Sequence, residues 1–429
     1  MNRRYVTGAR VWVSASTILV ATILASGLAG SAAAHARSGP QPLTETSKAA
    51  LTGQLNAAVA RGDTSGVVAL IVDRNGELYS ATAGDIDPAA KVPMPPNAIF
   101  YIASMTKPVT SVAIMMLIEQ GKLALDDPVS KFLPGFDNLK VITKFNEADG
   151  TYETRPAKRA MTVKHLLTHT SGIGYAFCSP IVARLQKDST QSEWELPLLN
   201  DPGEKWNYSA STRVLGLIVE KITGKGLEEY YQQHLFEPLG MTDTSFAVAA
   251  DKQSRVAKIL FREEGALKER TPPRTIPSTP TPPYAGDGGL FSTAHDYGLF
   301  IRMMLNGGKL GSARILSEKS VRQMGQNHIG VIFVDQQPAA LPALTQVFPL
   351  GAGRDKFGLG FQLTAQSPDT NKYRSAGSMS WGGIFNTEFW IDPQLQIGGV
   401  LMMQFLPFYD DGAIRTLQKF EETAYRALR

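Results

Sequence analysis

The order of elements along the chain predicts a mixed α/β (α+β) fold, a mainly antiparallel sheet flanked by helices with a helical region inserted between its two parts. Three observations predict it. An apolar hairpin follows a helix near the start, a largely helical middle ends in a proline-rich stretch, and two strand-like runs precede a last helix. Both ends of the chain therefore feed one sheet. The sheet region is placed at about 45–103 and 285–429, and the insertion at about 104–284.

The first helix rests on Ala49, Leu51, Leu55, Ala58 and Val59, which recur at helical spacing before Gly62. The run Val67–Val72 is continuously apolar and reads as a buried strand. Asp73-Arg74-Asn75-Gly76 is its turn, because Asn-Gly adopts positive φ at little cost, and Leu78–Ala81 returns. A loop with Pro93, Pro95 and Pro96 leads to the strand-like Ile99–Ala103, and an apolar helix follows over Val109–Glu119. Residues 162–240 are mostly helical by pattern. Val214, Leu217, Ile218 and Ile222 mark one face, with Gly224 as its stop. Six prolines between 271 and 285 exclude a helix or a central strand there. After a second loop, at about 336–355, the runs Thr387–Ile391 and Gly398–Gln404 read as strands and Gly412–Leu428 as a helix.

The composition is that of an ordinary globular protein, with 43% hydrophobic residues in 429 and a net charge of +4. The basic excess is diffuse, which argues against a nucleic-acid or anionic-membrane partner. A small-molecule ester or amide is the partner expected. Arg3, Arg4 and Arg10 precede the apolar stretch Val11–Leu28, and Ala34-His35-Ala36 is a small-x-small site. Residues 1–36 thus read as a cleavable signal peptide and 37–429 as a periplasmic or secreted domain. Arg3-Arg4 weakly resembles a twin-arginine export signal, and an uncleaved anchor is the alternative. No later segment is long and apolar enough to span a bilayer. Cys178 is the only cysteine, so no intrachain disulfide forms. It is read as a packed residue, since no paired histidine pattern supports a nucleophile.

The chemistry centres on Ser104-Met105-Thr106-Lys107, the one place where a lysine follows a serine by three positions. At a helix start the two side chains share a face. The helix dipole there favours a developing alkoxide. A lysine kept neutral by burial accepts the serine proton. His165 and His169 are four apart, as helical metal ligands are, but the Glu of His-Glu-x-x-His and a third ligand are missing. They are read as structural, and neither metal nor cofactor is expected. A Gly-x-Ser-x-Gly elbow and nucleotide-binding loops are absent too.

Several segments, in order, carry a resemblance. They are Tyr101–Lys107, Val163–Gly172, Pro202-Gly203 leading to Tyr208-Ser209, Leu235–Met241, and Gly288–Thr293. From about Gly66 onward the chain resembles the serine β-lactamase and penicillin-binding superfamily, most closely the class C β-lactamases and the family VIII carboxylesterases of the same fold. The resemblance implies a β-lactamase-like fold with Ser104 as nucleophile and Lys107 and Tyr208 as its catalytic partners. The Tyr208 phenol would be lowered by Lys107. It also implies an oxyanion hole from the backbone N–H groups of Ser104 and Ile384. Trp381-Gly382-Gly383 stands where the β-lactamases have Lys-Thr-Gly, the two glycines letting a substrate approach the strand. Ala210 stands where they have an asparagine. The site thus lacks a cation for a substrate carboxylate and an amide for an acylamide group. Arg374 and Lys372 are the candidates to replace that cation. The expectation is a carboxylesterase for small or apolar esters packed on Trp381. The alternatives are a β-lactamase, a D-amino acid peptidase, an acyltransferase and a non-catalytic sensor on the same scaffold.

Overall fold

The computed structural model describes residues 42–187, 189–270, 274–365 and 373–428, all within the compact unit Gly39–Arg429. Residues 1–36, where a signal peptide is expected, and Lys372 lie outside the described residues. The chain opens with α1 (Glu45–Ala60), whose first turn is capped by the Thr44 side chain accepting from Ser47 N. The strands β1 (Gly66–Asp73) and β2 (Glu77–Asp87) then form the predicted hairpin. Asp73 Oδ1 fastens the turn by accepting from Asn75 N and Gly76 N at 2.7 and 2.8 Å. Further along come α2 (Thr106–Glu119), α3 (Ser211–Thr223) and α4 (Ala294–Leu305). The strands β3 (Met379–Gly383), β4 (Thr387–Asp392) and β5 (Ile397–Met402) and the last helix α5 (Asp411–Leu428) close the chain.

One eight-stranded antiparallel sheet holds both ends of the chain. Its order is Lys356–Phe357, Gln362–Leu363, β3, β4, β5, β1, β2, Val92–Pro93. The join is β1 beside β5, with Leu70 opposite Val400. β1 is buried at every position because both faces are covered. Val67, Ala69 and Ile71 pack with Leu55, Leu417 and Phe420 of α1 and α5. Val68, Leu70 and Val72 face α4, where a Cβ on Gly298 would meet Leu70 Cδ2 at 2.5 Å. A strand covered on both sides needs a continuous apolar run, which is what Val67–Val72 supplies.

The region between is not wholly helical. Two hairpins lie within it, Lys140–Phe145 with Tyr152–Pro156 and Leu260–Glu263 with Ala266–Glu269. The second gains Phe405–Leu406 as a parallel partner. Their strands are short and charged and lack the alternation that betrays a strand, so the expectation of a helical insertion passes over them. α2 runs through the middle of this region and is buried all round from Thr106 to Leu117, the pattern of a core helix. No helix among the described residues is long and apolar enough to cross a membrane.

Candidate active site

Ser104 lies in a 3-10 turn, Ala103–Met105, which runs directly into α2. Ala103 just before it has φ 43°, a left-handed conformation that a side-chain-bearing residue adopts only under constraint. The constraint is visible. Phe100–Tyr101 pairs antiparallel with Phe291–Ser292, and Ile102 N donates to Leu290 O at 3.0 Å. On the other side, β3 presses against the same carbonyl carbon chain. A Cβ on Gly383 would stand 2.3 Å from Ile102 O. The glycine is thus required where the strand end meets the nucleophile turn.

The one-turn offset predicted for Ser104 and Lys107 is realised. Lys107 Nζ lies 3.1 Å from Ser104 Oγ, 3.1 Å from the Tyr175 hydroxyl and 2.7 Å from Asp287 O. Lys107 is buried, and burial pulls its amine down to about 8, with the Asp287 charge opposing. The three nearest polar atoms are uncharged oxygens, so no carboxylate touches the amine to restore its charge.

Tyr208 joins the same cluster from the segment before α3. Its hydroxyl accepts the Trp381 indole N–H at 3.3 Å, and the Lys107 amine lies 4.8 Å from the centre of its ring. Its backbone N–H donates to Gln337 Oε1 at 3.2 Å, in the second predicted loop. One expectation fails here. The phenol is not lowered by Lys107; burial pushes it up, so it rests as a protonated donor.

Trp381 is also not where the sequence placed it. It is buried behind Tyr208, with ring centroids 4.9 Å apart, and does not line the cleft at Ser104. Gly382 lies against the Glu388 carboxylate, where a Cβ would come within 2.6 Å of both oxygens. Of the third segment only Ile384, in the turn after β3, lines the cleft with Ser104. Arg374 does not replace the missing cation, because its guanidinium is bound to Glu421 and it does not line the cleft at Ser104.

His165 and His169 are spent on local structure. His165 closes a capping box with Thr162. His169 is buried against Tyr208, its Nδ1 3.0 Å from Ser209 Oγ. Cys178 is buried, and burial pushes its thiol up, away from the reactive thiolate.

Two residues of this cluster escaped the sequence reading. Tyr175 follows the quoted Thr170-Ser171-Gly172, and its hydroxyl makes a short hydrogen bond to Asp287 Oδ2. Asp287 immediately precedes the quoted Gly288–Thr293 and pairs with Arg213 Nε at 2.8 Å. The missed signal is a lone acid among Gly286, Gly288 and Gly289 in an otherwise uncharged stretch.

The cleft above Ser104 has a volume of about 840 Å³. Its lining combines apolar Phe177, Ile259, Leu344, Ile384 and Phe385 with charged Arg213, Lys258, Glu269 and Arg270, and with Arg274, which lies over the Tyr101 ring. The arrangement suits attack by a serine oxygen on the carbonyl of a substrate whose flanking groups are apolar.

Comparison with known proteins agrees in extent with the fold. The Beta-lactamase family model matches residues 51–423. An uncharacterized protein of Mycobacterium tuberculosis is 35% identical over 394 residues, spanning 85% of this chain and 95% of its own. Lovastatin esterase of Penicillium rubens is 30% identical over 395 residues, 86% of this chain and 96% of that protein. Monacolin J acid methylbutanoyltransferase of Aspergillus terreus is 28% identical over 340 residues, 76% and 81%. Among solved structures, a mutant simvastatin synthase from Aspergillus terreus aligns with a TM-score of 0.75 at 26% identity, covering 89% of this chain and 95% of that one.

Proposed function

This chain belongs to the Beta-lactamase family, and on that premise we propose that it is an exported carboxylesterase that cleaves small or apolar esters through an acyl-enzyme on Ser104. The observation that carries the reading is the Lys107 amine, buried, 3.1 Å from Ser104 Oγ and touched by no carboxylate. Such an amine is a base near neutral pH.

In the first step Ser104 gives its proton to Lys107 while Oγ bonds to the ester carbon. The backbone N–H groups of Ser104 and Ile384 receive the oxyanion. The bond to the alcohol oxygen then breaks. Tyr208 supplies that oxygen with a proton and recovers one from the Lys107 ammonium. In the second step water passes a proton through Tyr208, bonds to the acyl carbon and expels Ser104 Oγ, which takes the proton back. The high phenol of Tyr208 fits this duty, since an alkoxide leaving group is basic enough to take its proton.

Esters are favoured over β-lactams because, among the described residues, Trp381 stands where a cation would and Arg374 is paired with Glu421, while Ala210 offers no amide. Export is supported by the Arg3–Ala36 pattern. N-terminal sequencing of secreted protein should give a start near Arg37, and a start before Val11 would exclude cleavage. Acyl transfer to a bound alcohol is a second reading. The volume of the cleft favours it, as does a relative named as a methylbutanoyltransferase. Purified enzyme should turn over p-nitrophenyl butyrate with a far higher kcat/KM than nitrocefin, and Ser104→Ala should abolish that turnover while leaving the fold intact. Faster nitrocefin hydrolysis overturns the esterase reading, and wild-type turnover by Ser104→Ala overturns the nucleophile. Butyl ester formation in added butanol separates transfer from hydrolysis.

A further inference from the structure

The hydrogen-bonded groups around Ser104 form a chain with one end that only donates and another that only accepts. The Trp381 indole N–H has no acceptor capacity, and it reaches the Tyr208 hydroxyl at 3.3 Å. With the indole as donor, the Tyr208 proton is turned away from Trp381. At the opposite end the Asp287 carboxylate, ion-paired with Arg213 Nε at 2.8 Å, has no proton to give. The Tyr175 proton must therefore point to Asp287 Oδ2, its short partner. That leaves only lone pairs of the Tyr175 oxygen for Lys107 Nζ, 3.1 Å away. The carbonyl of Asp287, 2.7 Å from the same nitrogen, also only accepts.

A neutral amine has two N–H bonds and one lone pair. Tyr175 and the Asp287 carbonyl consume both N–H bonds. The lone pair is then left facing Ser104 Oγ, so the serine must donate its proton to Lys107. We propose that Tyr175 and Asp287 are positioning residues that aim the Lys107 lone pair at Ser104. The inference rests on the acyl-enzyme reading above and deepens it. When Lys107 carries three protons it donates to all three oxygens, and Ser104 loses its base. The charged and titratable groups around this amine are Asp287, Arg213, Glu193, Cys178, Tyr175, Tyr208 and His169.

The test is the pH profile of kcat/KM for p-nitrophenyl butyrate between pH 5.5 and 10. In Tyr175→Phe the ring stays stacked on Phe177, centroids 4.9 Å apart in the parent, while the acceptor for one Lys107 N–H is lost. The high-pH plateau should fall about ten- to a hundredfold, part of what a positioned base contributes. Asp287→Asn frees the Tyr175 proton to compete for the lone pair, so its plateau should fall as well. Its acid limb should move to lower pH, because a charge that raises Lys107 has gone. The double variant should fall no further than the worse single one. A wild-type plateau in folded Tyr175→Phe, or single losses that multiply in the double variant, overturns the proposal. Circular dichroism establishes folding, and if Asp287→Asn does not fold because Arg213 is left unpaired, the Tyr175→Phe plateau decides alone. Ser104→Ala separates the two levels. Turnover surviving there condemns the acyl-enzyme reading, whereas an inactive Ser104→Ala with an unimpaired Tyr175→Phe condemns only the positioning role.

Discussion

Among the described residues two cations have little exposure, Lys107 and Arg374, and their surroundings shift them in opposite directions. Lys107, at the start of α2, touches a serine, a phenol and a carbonyl, and is pulled down to about 8. Arg374, at the edge of the sheet, donates to the Glu421 carboxylate from Nε at 3.0 Å and again from Nη2, and is pushed up. Desolvation opposes charge in both cases. The difference lies in direct contact with a carboxylate. Where that contact exists the charge is locked in place, and where Asp287 is held one residue-width away, behind Tyr175, the charge is loosened. The acid side repeats the lesson. Glu388 shares Arg374 with Glu421, makes no such contact of its own, and is pushed up to about 8.

The largest effect should come from exchanging each cation. Lys107→Met should lower kcat/KM by about 10²–10⁴-fold, the worth of a general base. Its stability at pH 7 should equal or exceed that of the parent. Folding must hold the Lys107 charge in a desolvated site, which is why its folded value lies below the unfolded one, and removing the group removes that penalty of up to about 3 kcal/mol. Glu421→Gln should do the reverse. It leaves a buried guanidinium uncompensated and should cost about 3–5 kcal/mol in urea unfolding, with the activity of the folded fraction retained. If Lys107→Met were the more damaged of the two in stability, the contrast would collapse.

Next in size is the pH response. A Lys107 near 8 is about one-tenth neutral at pH 7, so kcat/KM should rise about tenfold per unit below pH 8 and level off above it. The same group makes stability rise with pH from about 8 toward its unfolded value, because over that range the unfolded chain binds the extra proton. A flat activity profile between pH 6 and 8 would assign the base elsewhere. The smallest effect is expected from Trp381→Phe. It keeps the ring against Tyr208 and removes one neutral hydrogen bond, worth about 0.5–1.5 kcal/mol, or roughly two- to tenfold in kcat/KM.

The sequence by itself determined whatever depends on neighbours along the chain. The doubly buried β1, its Asn75-Gly76 turn, the helix α5 and the Ser104–Lys107 offset all follow from local spacing, since a strand or a helical turn imposes its own geometry. The quoted segments also led to Tyr208 and Ile384. Tertiary structure decided the rest. Tyr175 and Asp287 are 112 positions apart and meet beside Lys107, while the pairing of Phe100–Tyr101 with Phe291–Ser292 holds Asp287 near the nucleophile turn, and no local pattern encodes either. Trp381 reads as a substrate wall in one dimension, yet the pairing of β3 with β4 turns its indole inward to Tyr208. The value of Lys107 is likewise a property of the fold. A lysine's charge depends on which oxygens surround it and how much water is left, and both are set only when distant segments close over it.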